Sequence, residues 1–481
     1  MKKLLMILFV TTLFAACQDN FGDTNVDTKK PPIVPPAALF VASQKALVDQ
    51  ITSSNVNSNI FRLISQYWTE ATYFDEANYD LTTRNIPQNF WNTLYTGVLQ
   101  NLKESQRLIP TQDLAFVPAA QQKNQNACAE ILNVYTYSVL INTFGNVPYT
   151  EALNSDNVYP KYDDATAIYD DLFVRLDKAL NDIDVNSGGF GKSDLFYGGD
   201  MGAGMAGWVT FGNSLKLRLG MIIADVNPAK AKTIVEQAAP KAISSNAENV
   251  VFKYLSSPPN TNPIWVDLVQ SGRKDFVATH TIVDTMLSLN DPRVPFYFTV
   301  DSDTLYSGGI PGQGNNYSTY SKPSTRITAP DFESLLMDYA EVEFLRAEAI
   351  ERGMNVGGTA AEHYNNAIRA SITYWGGSIV DANAYLAQSD VAYATAPGAD
   401  WKAKIGLQKW LALYNRGFDG WVEIRRLDNP QLPAPSDPNS GYPARFTYPV
   451  QEQTLNADNY ARGSTSIGGD VVETKLFWDK F

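Results

Sequence analysis

Two stretches of the sequence combine aromatic rings with polar side chains at short spacing. The first runs from residue 66 to residue 79 and contains Trp68, Tyr73, Phe74 and Tyr79. The second begins at residue 262, and its candidate binding residues are Trp265, Arg273, Asp275, Tyr306, Tyr317 and Tyr320. Sugars present apolar C–H faces and polar rims, so rings can stack on them while amides, carboxylates and guanidinium groups satisfy the hydroxyls. The pattern predicts saccharide binding, although any single ring could equally pack a loop onto the body.

Paired carboxylates are the other chemistry that the composition offers. A glycosidase needs one acid with a raised pKa and one ionised partner, roughly 5–9.5 Å apart. Candidate acids lie within helical patterns, where such residues usually occupy a solvated face: Asp163, Asp170, Glu341 and Glu348. We therefore predict no enzymatic activity, and a secreted helical glycoside hydrolase stays as an alternative hypothesis.

Metal and nucleic-acid chemistry find little support in the sequence. The two histidines, His280 and His363, are far apart, and neither an HExxH nor an EF-hand spacing occurs. Loop aspartates and backbone carbonyls could hold a structural calcium ion, but no spacing predicts a calcium site, so we predict no metal or other cofactor. The formal net charge of −13 argues against a nucleic-acid partner.

The N-terminus indicates where the protein is located. Residues 1–16 contain two lysines followed by an apolar run that is too short for the roughly 20 residues of a membrane span, as in a signal peptide. Small residues directly before Cys17 resemble the bacterial lipobox, in which the cysteine is acylated and becomes the mature N-terminus. Residues 17–36 are polar and then proline-rich, which predicts a lipidated tether. We expect an outer-membrane lipid anchor with the body exposed at the cell surface.

Helices must position the two aromatic stretches. Apolar residues recur at helical spacing over 37–53, 58–71, 88–108, 120–143, 165–184, 207–224, 340–353 and 360–375. The last two segments form a hairpin whose Ala-x-x-Tyr-x-x-Ala spacing resembles the second helix of a tetratricopeptide unit. Gly- and Pro-rich loops separate the helices. We predict a mainly α fold with one domain over 37–481, a tetratricopeptide-like hairpin scaffold, and an irregular ligand-binding region at about 254–330 and 427–470.

Several segments in order resemble the SusD/RagB-like family of nutrient-binding outer-membrane lipoproteins from the Bacteroidetes, and look closest to a divergent branch. These segments are the lipobox with FGDTNVD, Thr143–Thr150, Trp208–Arg218, Asp291–Arg293, Tyr339–Ala349, Gly420–Arg426 and Gly468–Asp479. Within the Gly420–Arg426 segment, we expect Glu423, Arg425 and Arg426 to form internal ion pairs that pin the C-terminal segment.

The resemblance implies a function. It implies a non-enzymatic surface lipoprotein that captures oligosaccharides, or peptides in some members, and delivers them to a SusC-like TonB-dependent outer-membrane barrel. The expected partners are therefore that barrel, an oligosaccharide or peptide ligand, and membrane lipid through acylated Cys17. A third hypothesis is an envelope assembly protein that binds the barrel and has no small-molecule ligand.

Overall fold

Helices form the frame of the protein, as the spacing of the apolar residues predicts. The computed structural model describes residues 34–198 and 203–480. The predicted signal peptide, Cys17 and residues 17–33 of the predicted tether lie outside the described residues. Pro36–Phe481 forms one compact unit. The mainly α fold is therefore confirmed.

The helices alternate with short strands along the chain. The helices are α1 (Pro36–Thr52), α2 (Phe61–Ile64), α3 (Ile86–Asn92), α4 (Gln100–Leu108), α5 (Ala119–Phe144), α6 (Ala165–Asp182), α7 (Ala203–Ile222), α8 (Pro228–Ala238), α9 (Pro263–Trp265), α10 (His280–Ser288), α11 (Val294–Tyr297), α12 (Tyr339–Glu351), α13 (Ala360–Trp375), α14 (Ile379–Leu386), α15 (Trp401–Ala412), α16 (Gly417–Leu427), α17 (Val450–Leu455) and α18 (Ala457–Ser466). The strands are β1 (Trp68–Glu70), β2 (Val147–Pro148), β3 (Tyr162–Asp163), β4 (Val250–Phe252), β5 (Phe276–Ala278) and β6 (Ser334–Met337). A π-helical turn, Thr93–Leu99, joins α3 to α4.

Helical hairpins build the scaffold. Consecutive helices pack against each other in the pairs α5/α6, α7/α8, α12/α13 and α15/α16. Helix α13 has the same bounds as the predicted helix over 360–375, because residues at its own two ends determine where it begins and ends. Thr359 and Glu362 form a reciprocal capping box at its start, and Gly376 follows its end at φ 107°, a conformation that favours glycine.

Helix α5 lies at the centre of the first hairpins. From Ala127 to Phe144 nearly every residue is buried, so this helix is covered on most of its circumference rather than along one stripe. Cys128 is buried within it, and burial raises the pKa of its thiol. Among the described residues no helix is both long and apolar enough to cross a bilayer.

The predicted helix over 58–71 is wrong in its second half. Helix α2 ends at Ile64, Gln66 has a φ of 52°, and the chain continues as strand β1. This strand pairs antiparallel with β5, with Trp68 opposite Ala278 and Glu70 opposite Phe276. Long-range pairing therefore overrides the local helical spacing, and it joins the two aromatic stretches of the sequence.

Helix α12 carries buried carboxylates, contrary to the expectation of a solvated face. Every residue from Ala340 to Ala349 is buried because α7, α13 and α15 all pack on this helix. Glu341 is paired with Arg218 at 2.6 Å and with Arg416 at 2.5 Å. Buried carboxylates need such partners, since an isolated buried charge is very costly.

Glu348 lies at the centre of a second buried cluster. Both of its oxygens accept from the Arg426 guanidinium at 2.5 Å, and Arg352 approaches at 2.7 Å. Burial opposes ionisation of Glu348, but the guanidinium groups of Arg426 and Arg352 outweigh it and hold its pKa at about 2. Of the other candidate acids, Asp163 is half-buried and accepts from Thr150, whereas Asp170 is exposed as expected.

The predicted internal ion pairs form at Glu423 and Arg426, but they join helix α16 to α12 and α15 and not to the C-terminal segment. Glu423 and Arg426 form an ion pair at 2.6 Å. Arg425 instead lies between two rings, 3.4 Å from the ring centre of Trp421 and 4.8 Å from that of Trp478. The contact of Arg425 with Trp478, and not an ion pair, thus links the C-terminal segment to helix α16.

Candidate functional site

The β1–β5 pair brings the loops of the two aromatic stretches together. The Ala71 amide, directly after β1, donates to the Asp275 carbonyl at 2.7 Å. The Ala71 carbonyl accepts from the amide of Asn315 at 2.8 Å, so the loop after β5 and α11 lies against the same strand end. Three loops far apart in sequence therefore form one surface.

The side chain of Asn315 holds one of these loops in place. Its amide nitrogen donates to the carbonyls of Glu70 at 2.9 Å and Gln313 at 2.8 Å, and its oxygen accepts from the Ile310 amide at 2.9 Å. A Cβ on Gly309 would lie 2.5 Å from this oxygen, so the close approach requires glycine. Asn315 thus fixes the position of the rings that follow it.

Asn78 ties a further loop to the surface. Its side chain donates to the Gly312 carbonyl at 2.9 Å and accepts from the Asp437 amide at 3.1 Å. Its own carbonyl accepts from the Asn439 amide at 2.8 Å. Part of the predicted 427–470 loop region therefore joins the same surface through one buried amide, which the sequence analysis did not single out.

Five of the predicted site residues lie on this surface, which we call the aromatic platform: Tyr73, Phe74, Arg273, Asp275 and Tyr317. Tyr73 is 68% exposed. Arg273 and Asp275 form an ion pair at 2.6 Å, and both line a shallow cavity together with Tyr73. Phe74 is half-buried beside Gly314. The exposed ring of Tyr73 therefore lies next to the paired charges of Arg273 and Asp275, so a ligand could contact a ring face and polar groups together.

Tyr317 lies at the cationic side of the platform. The ammonium groups of Lys322 and Lys274 lie 5.2 Å and 5.9 Å from its ring centre. Burial and the nearby Asp275 raise the pKa of Tyr317. Tyr306 and Tyr320, from the same loop, are half-buried, and Tyr306 packs against the core. This arrangement leaves Tyr317 as the ring of this loop with the clearest polar neighbours.

Two predicted site residues are core residues in the structure. Trp68 is 1% exposed, its indole nitrogen donates to the Tyr414 hydroxyl at 2.8 Å, and Arg62 covers its ring at 4.9 Å. Tyr79 is also buried, at φ 68° and against the edge of Tyr442, and burial raises its pKa to about 12. Neither ring has a free face, which corrects the expectation that they stack on a ligand.

Trp265 makes no ring contact with the platform residues in the described part of the chain. It ends helix α9, whose N-cap Asn262 accepts from the Ile264 amide at 2.8 Å and donates to the Phe332 carbonyl at 2.7 Å. The Trp265 ring is half-buried, and within the described residues it stacks on no other aromatic ring. Trp265 is also not among the residues that line the cavity of Tyr73 and Arg273.

A buried carboxyl pair lies beneath the platform, and sequence reasoning missed it. Glu70 and Glu76 are 4% and 1% exposed, and Arg84 forms an ion pair with Glu76. Burial and the neighbouring Glu76 raise the pKa of Glu70, so it is protonated at neutral pH. The Ala77 amide donates to Glu70 at 2.9 Å. Glu70 and Arg84 both line the cavity of Tyr73, so Glu70 lies within reach of this cavity while Glu76 lies behind it.

No group of three or more metal-ligating side chains occurs among residues 34–198 and 203–480. The surface instead offers aromatic faces, one exposed ion pair and lysine ammonium groups. Such groups can bind a ligand and orient it. The helical hairpins are therefore the scaffold, and the aromatic rings on the loops form a candidate binding surface.

Three solved structures share the fold over nearly their whole length. A chitin-binding protein is 25% identical, with a TM-score of 0.79, covering 93% of this chain and 100% of that chain. A chitin-binding SusD homologue from Flavobacterium johnsoniae is 26% identical, with a TM-score of 0.76, covering 93% and 97%. A SusD homologue from Bacteroides uniformis is 27% identical, with a TM-score of 0.77, covering 92% and 99%. The fold is therefore that of SusD-like helical proteins, which confirms the tetratricopeptide-like scaffold.

A family model identifies the chain more closely. The SusD-like model, described as starch-binding and associating with the outer membrane, matches residues 28–449. The chain belongs to this SusD-like family, as the resemblance in the sequence predicts. No curated protein matches the chain.

Proposed function

We propose that this protein is a cell-surface lipoprotein that binds oligosaccharides and delivers them to a SusC-like TonB-dependent transporter in the outer membrane. The observation that carries the proposal is the aromatic platform. Its rings come from segments far apart in the chain, yet the β1–β5 pair and the loop anchors Asn78 and Asn315 hold them on one surface. Two of the similar structures are chitin-binding proteins, which supports a glycan as the ligand class.

The platform suits a saccharide because it offers both kinds of contact that a sugar needs. Tyr73 presents an exposed ring for the C–H face of a pyranose. The paired Arg273 and Asp275 can donate to and accept from hydroxyl groups at the rim without a change in net charge. The ligand would then lie across the loops rather than inside a deep cavity.

Binding without turnover is the expected mode of action. The helical carboxylates Glu341 and Glu348 are locked in buried arginine clusters, away from solvent. Glu70 lines the platform cavity, but it is nearly covered and shares its environment with Glu76. A glycosidase needs a solvent-accessible acid and an ionised carboxylate on two sides of the bound glycosidic bond. Neither the helical pair Glu341 and Glu348 nor the buried pair Glu70 and Glu76 provides this arrangement.

The proposed location is the outer membrane. The predicted lipobox at Cys17 and the proline-rich tether would anchor the body at the outer membrane. The family description, which names association with the outer membrane, supports this location. Capture on the platform followed by transfer into a barrel would couple binding to import.

Calorimetry with the Pro36–Phe481 unit tests the proposal. We expect saturable heat with chito- or malto-oligosaccharides, and the Tyr73→Ala variant should reduce the affinity. Saturable heat with peptides alone would assign the protein to peptide import, for which the exposed Arg273–Asp275 pair could bind chain termini. Released reducing ends would support the glycoside hydrolase instead, and no heat with any ligand would favour an assembly role.

A further inference from the structure

A second cavity lies at the C-terminal end of helix α16. Its volume is about 340 Å³, within the range of roughly 300–1,000 Å³ that is usual for small-molecule sites. Helix α16, the loop after it and the C-terminal segment line this cavity, among them Arg425, Asp428, Leu432, Tyr442, Lys475 and Asp479. It shares no lining residue with the cavity of Tyr73. We call it the α16 cavity.

The guanidinium of Arg425 has donors to spare in this cavity. Of its five N–H groups, three donate to the carbonyls of Trp421, Ala444 and Asn142. Within the described part of the chain Arg425 forms no ion pair, and Asp479 acts on its charge only from beyond that distance. Two N–H groups of a buried cation can therefore donate to an acceptor in the cavity.

Two other polar groups of the lining have no partner. The hydroxyl oxygen of Tyr442 is buried and forms no hydrogen bond within the described residues. The Asp428 carboxylate is half-buried, which raises its pKa, and among the same residues it forms neither a hydrogen bond nor an ion pair, although Lys475 and Lys402 act on it from a distance. Buried polar groups normally have partners. A donor and an acceptor without partners point to a ligand that both accepts and donates.

Contacts within the fold hold the walls of the cavity in place. Gly441 donates its amide to the Glu473 carboxylate at 2.8 Å, and Ala444 donates to the Val472 carbonyl at 2.8 Å. On the opposite wall, Asp428 ends helix α16 at φ 51°, a conformation in which aspartate and asparagine are enriched among non-glycine residues. The unpartnered groups are therefore positioned by the fold itself.

The charges of the lining decide which ligand fits. The lining contains three carboxylates and two cations: Asp428, Glu473, Asp479, Arg425 and Lys475. An anion would be repelled by the carboxylates, and a metal ion would be repelled by the guanidinium and the ammonium group. A neutral sugar has hydroxyls that donate to carboxylates and accept from guanidinium and phenol groups. The side chain of Leu432 and the ring of Tyr442 can contact its C–H face.

We propose that the α16 cavity is a second saccharide site, which holds one or two sugar units. Arg425 and Tyr442 donate to ligand oxygens there, and Asp428 accepts from a hydroxyl. The inference takes its ligand class from the proposed function, but it uses none of the platform residues. The loop that leads to Tyr442 also donates to Asn78 from the Asp437 amide, so one loop contacts both sites.

Calorimetry of the full chain with N,N′-diacetylchitobiose and maltose tests this site. Tyr73→Ala removes the exposed platform ring, and the cavity variants are made in that background. We expect binding to persist in Tyr73→Ala and to weaken about tenfold when Tyr442→Phe or Asp428→Asn is added. Neither change removes a hydrogen bond within the described residues, so the thermal midpoints should hardly move. Tyr159→Phe, at an exposed ring outside both sites, is the matched control and should leave the affinity unchanged.

The outcomes separate this inference from the proposed function. Equal affinities with and without the two cavity changes would overturn the second site. Loss of all binding in Tyr73→Ala would also overturn it and leave the platform as the saccharide site. Equal affinities of the wild type and Tyr73→Ala, with weaker binding in the cavity variants, would refute the platform and support the cavity. Heat with glycylglycine alone, lost in Asp428→Asn, would replace the saccharide by a peptide end. No heat with either disaccharide in the wild type would overturn both proposals.

Discussion

The guanidinium of Arg425 lies 3.4 Å from the ring centre of Trp421, with its other side towards Trp478. Its nitrogens donate to the carbonyls of Trp421, Ala444 and Asn142, and burial lowers its pKa to about 9. A planar cation that has ring faces and carbonyls around it can remain buried without a carboxylate pair.

Arg425→Lys is expected to destabilise the protein by about 1–3 kcal/mol. Lysine keeps the charge but cannot stack between Trp421 and Trp478 or reach three carbonyls. Urea unfolding gives the change in free energy. The control is Arg107→Lys, where the ion pair with Glu104 is exposed and the change should stay near zero. Equal effects of both variants would contradict the stacking argument.

Glu348→Gln is expected to cost about 3–5 kcal/mol, because it leaves Arg426 and Arg352 buried without their shared carboxylate. The ionised Glu348 also makes a pH-dependent contribution to the free energy of unfolding. Its pKa is lowered in the folded state, so this contribution is present above the ordinary glutamate pKa and disappears as the pH falls towards about 2.

Acid unfolding measured by circular dichroism checks this contribution. The wild type should lose stability more steeply below pH 4 than Glu348→Gln does. Glu351→Gln on the exposed side of the same helix serves as the control and should follow the wild-type profile. Parallel profiles for all three proteins would refute the role of Glu348.

Glu70 has the opposite pH dependence. Burial and Glu76 raise its pKa, so the folded state binds a proton that the unfolded state releases above the ordinary glutamate pKa. Its contribution to stability therefore decreases as the pH rises from about 5 towards 9. Glu70→Gln, which mimics the protonated acid, should flatten this decrease in urea midpoints at pH 5, 7 and 9. A slope identical to that of the wild type would show that Glu70 is ionised in the fold.

Tyr73→Ala should weaken oligosaccharide binding by about 1–3 kcal/mol, by analogy with bases that stack on aromatic side chains. Because Tyr73 is largely exposed, the thermal midpoint should hardly change. Tyr159→Ala removes an exposed ring outside the platform and should leave affinity unchanged. Trp68→Ala should instead lower stability by about 3–5 kcal/mol, since that ring is in the core.

Gly312→Ala should loosen the platform loops. Gly312 has a φ of 75°, and a Cβ there would lie 1.9 Å from the Asn78 side-chain oxygen. We expect faster hydrogen exchange in residues 306–323 and weaker ligand binding. Gly314→Ala, where the new Cβ would meet the Phe74 ring at 3.7 Å, is the matched control. Unchanged exchange in Gly312→Ala would show that Asn78 does not hold this loop.

The helical frame is predictable from sequence where local signals agree. Helix α13 has apolar spacing, a capping box at Thr359 and a glycine at its end, so its bounds follow from residues within the segment. The segment 58–71 has the same apolar spacing, but partners at Phe276–Ala278 convert part of it to a strand. No local pattern encodes a partner so distant in sequence.

The site is predictable only in part for a related reason. Residue type identified Tyr73, Arg273 and Tyr317, which the structure brings to one surface. It could not separate Tyr73 from Trp68, because burial depends on the β1–β5 pairing and not on the identity of the ring. Sequence reasoning missed Glu70 and Asn78 because their roles depend on contacts in the fold, with Glu76 and with the Gly312 carbonyl.

The pairing of β1 with β5 also has a consequence for biogenesis. Trp68–Glu70 is made early, and its partner strand Phe276–Ala278 is made much later. Until the later strand has been made and can pair, the backbone groups of the earlier segment lack their strand partner and Trp68 is uncovered. The nascent chain would therefore need a chaperone during this interval, and a translation product cut short before residue 276 should be degraded rather than accumulate.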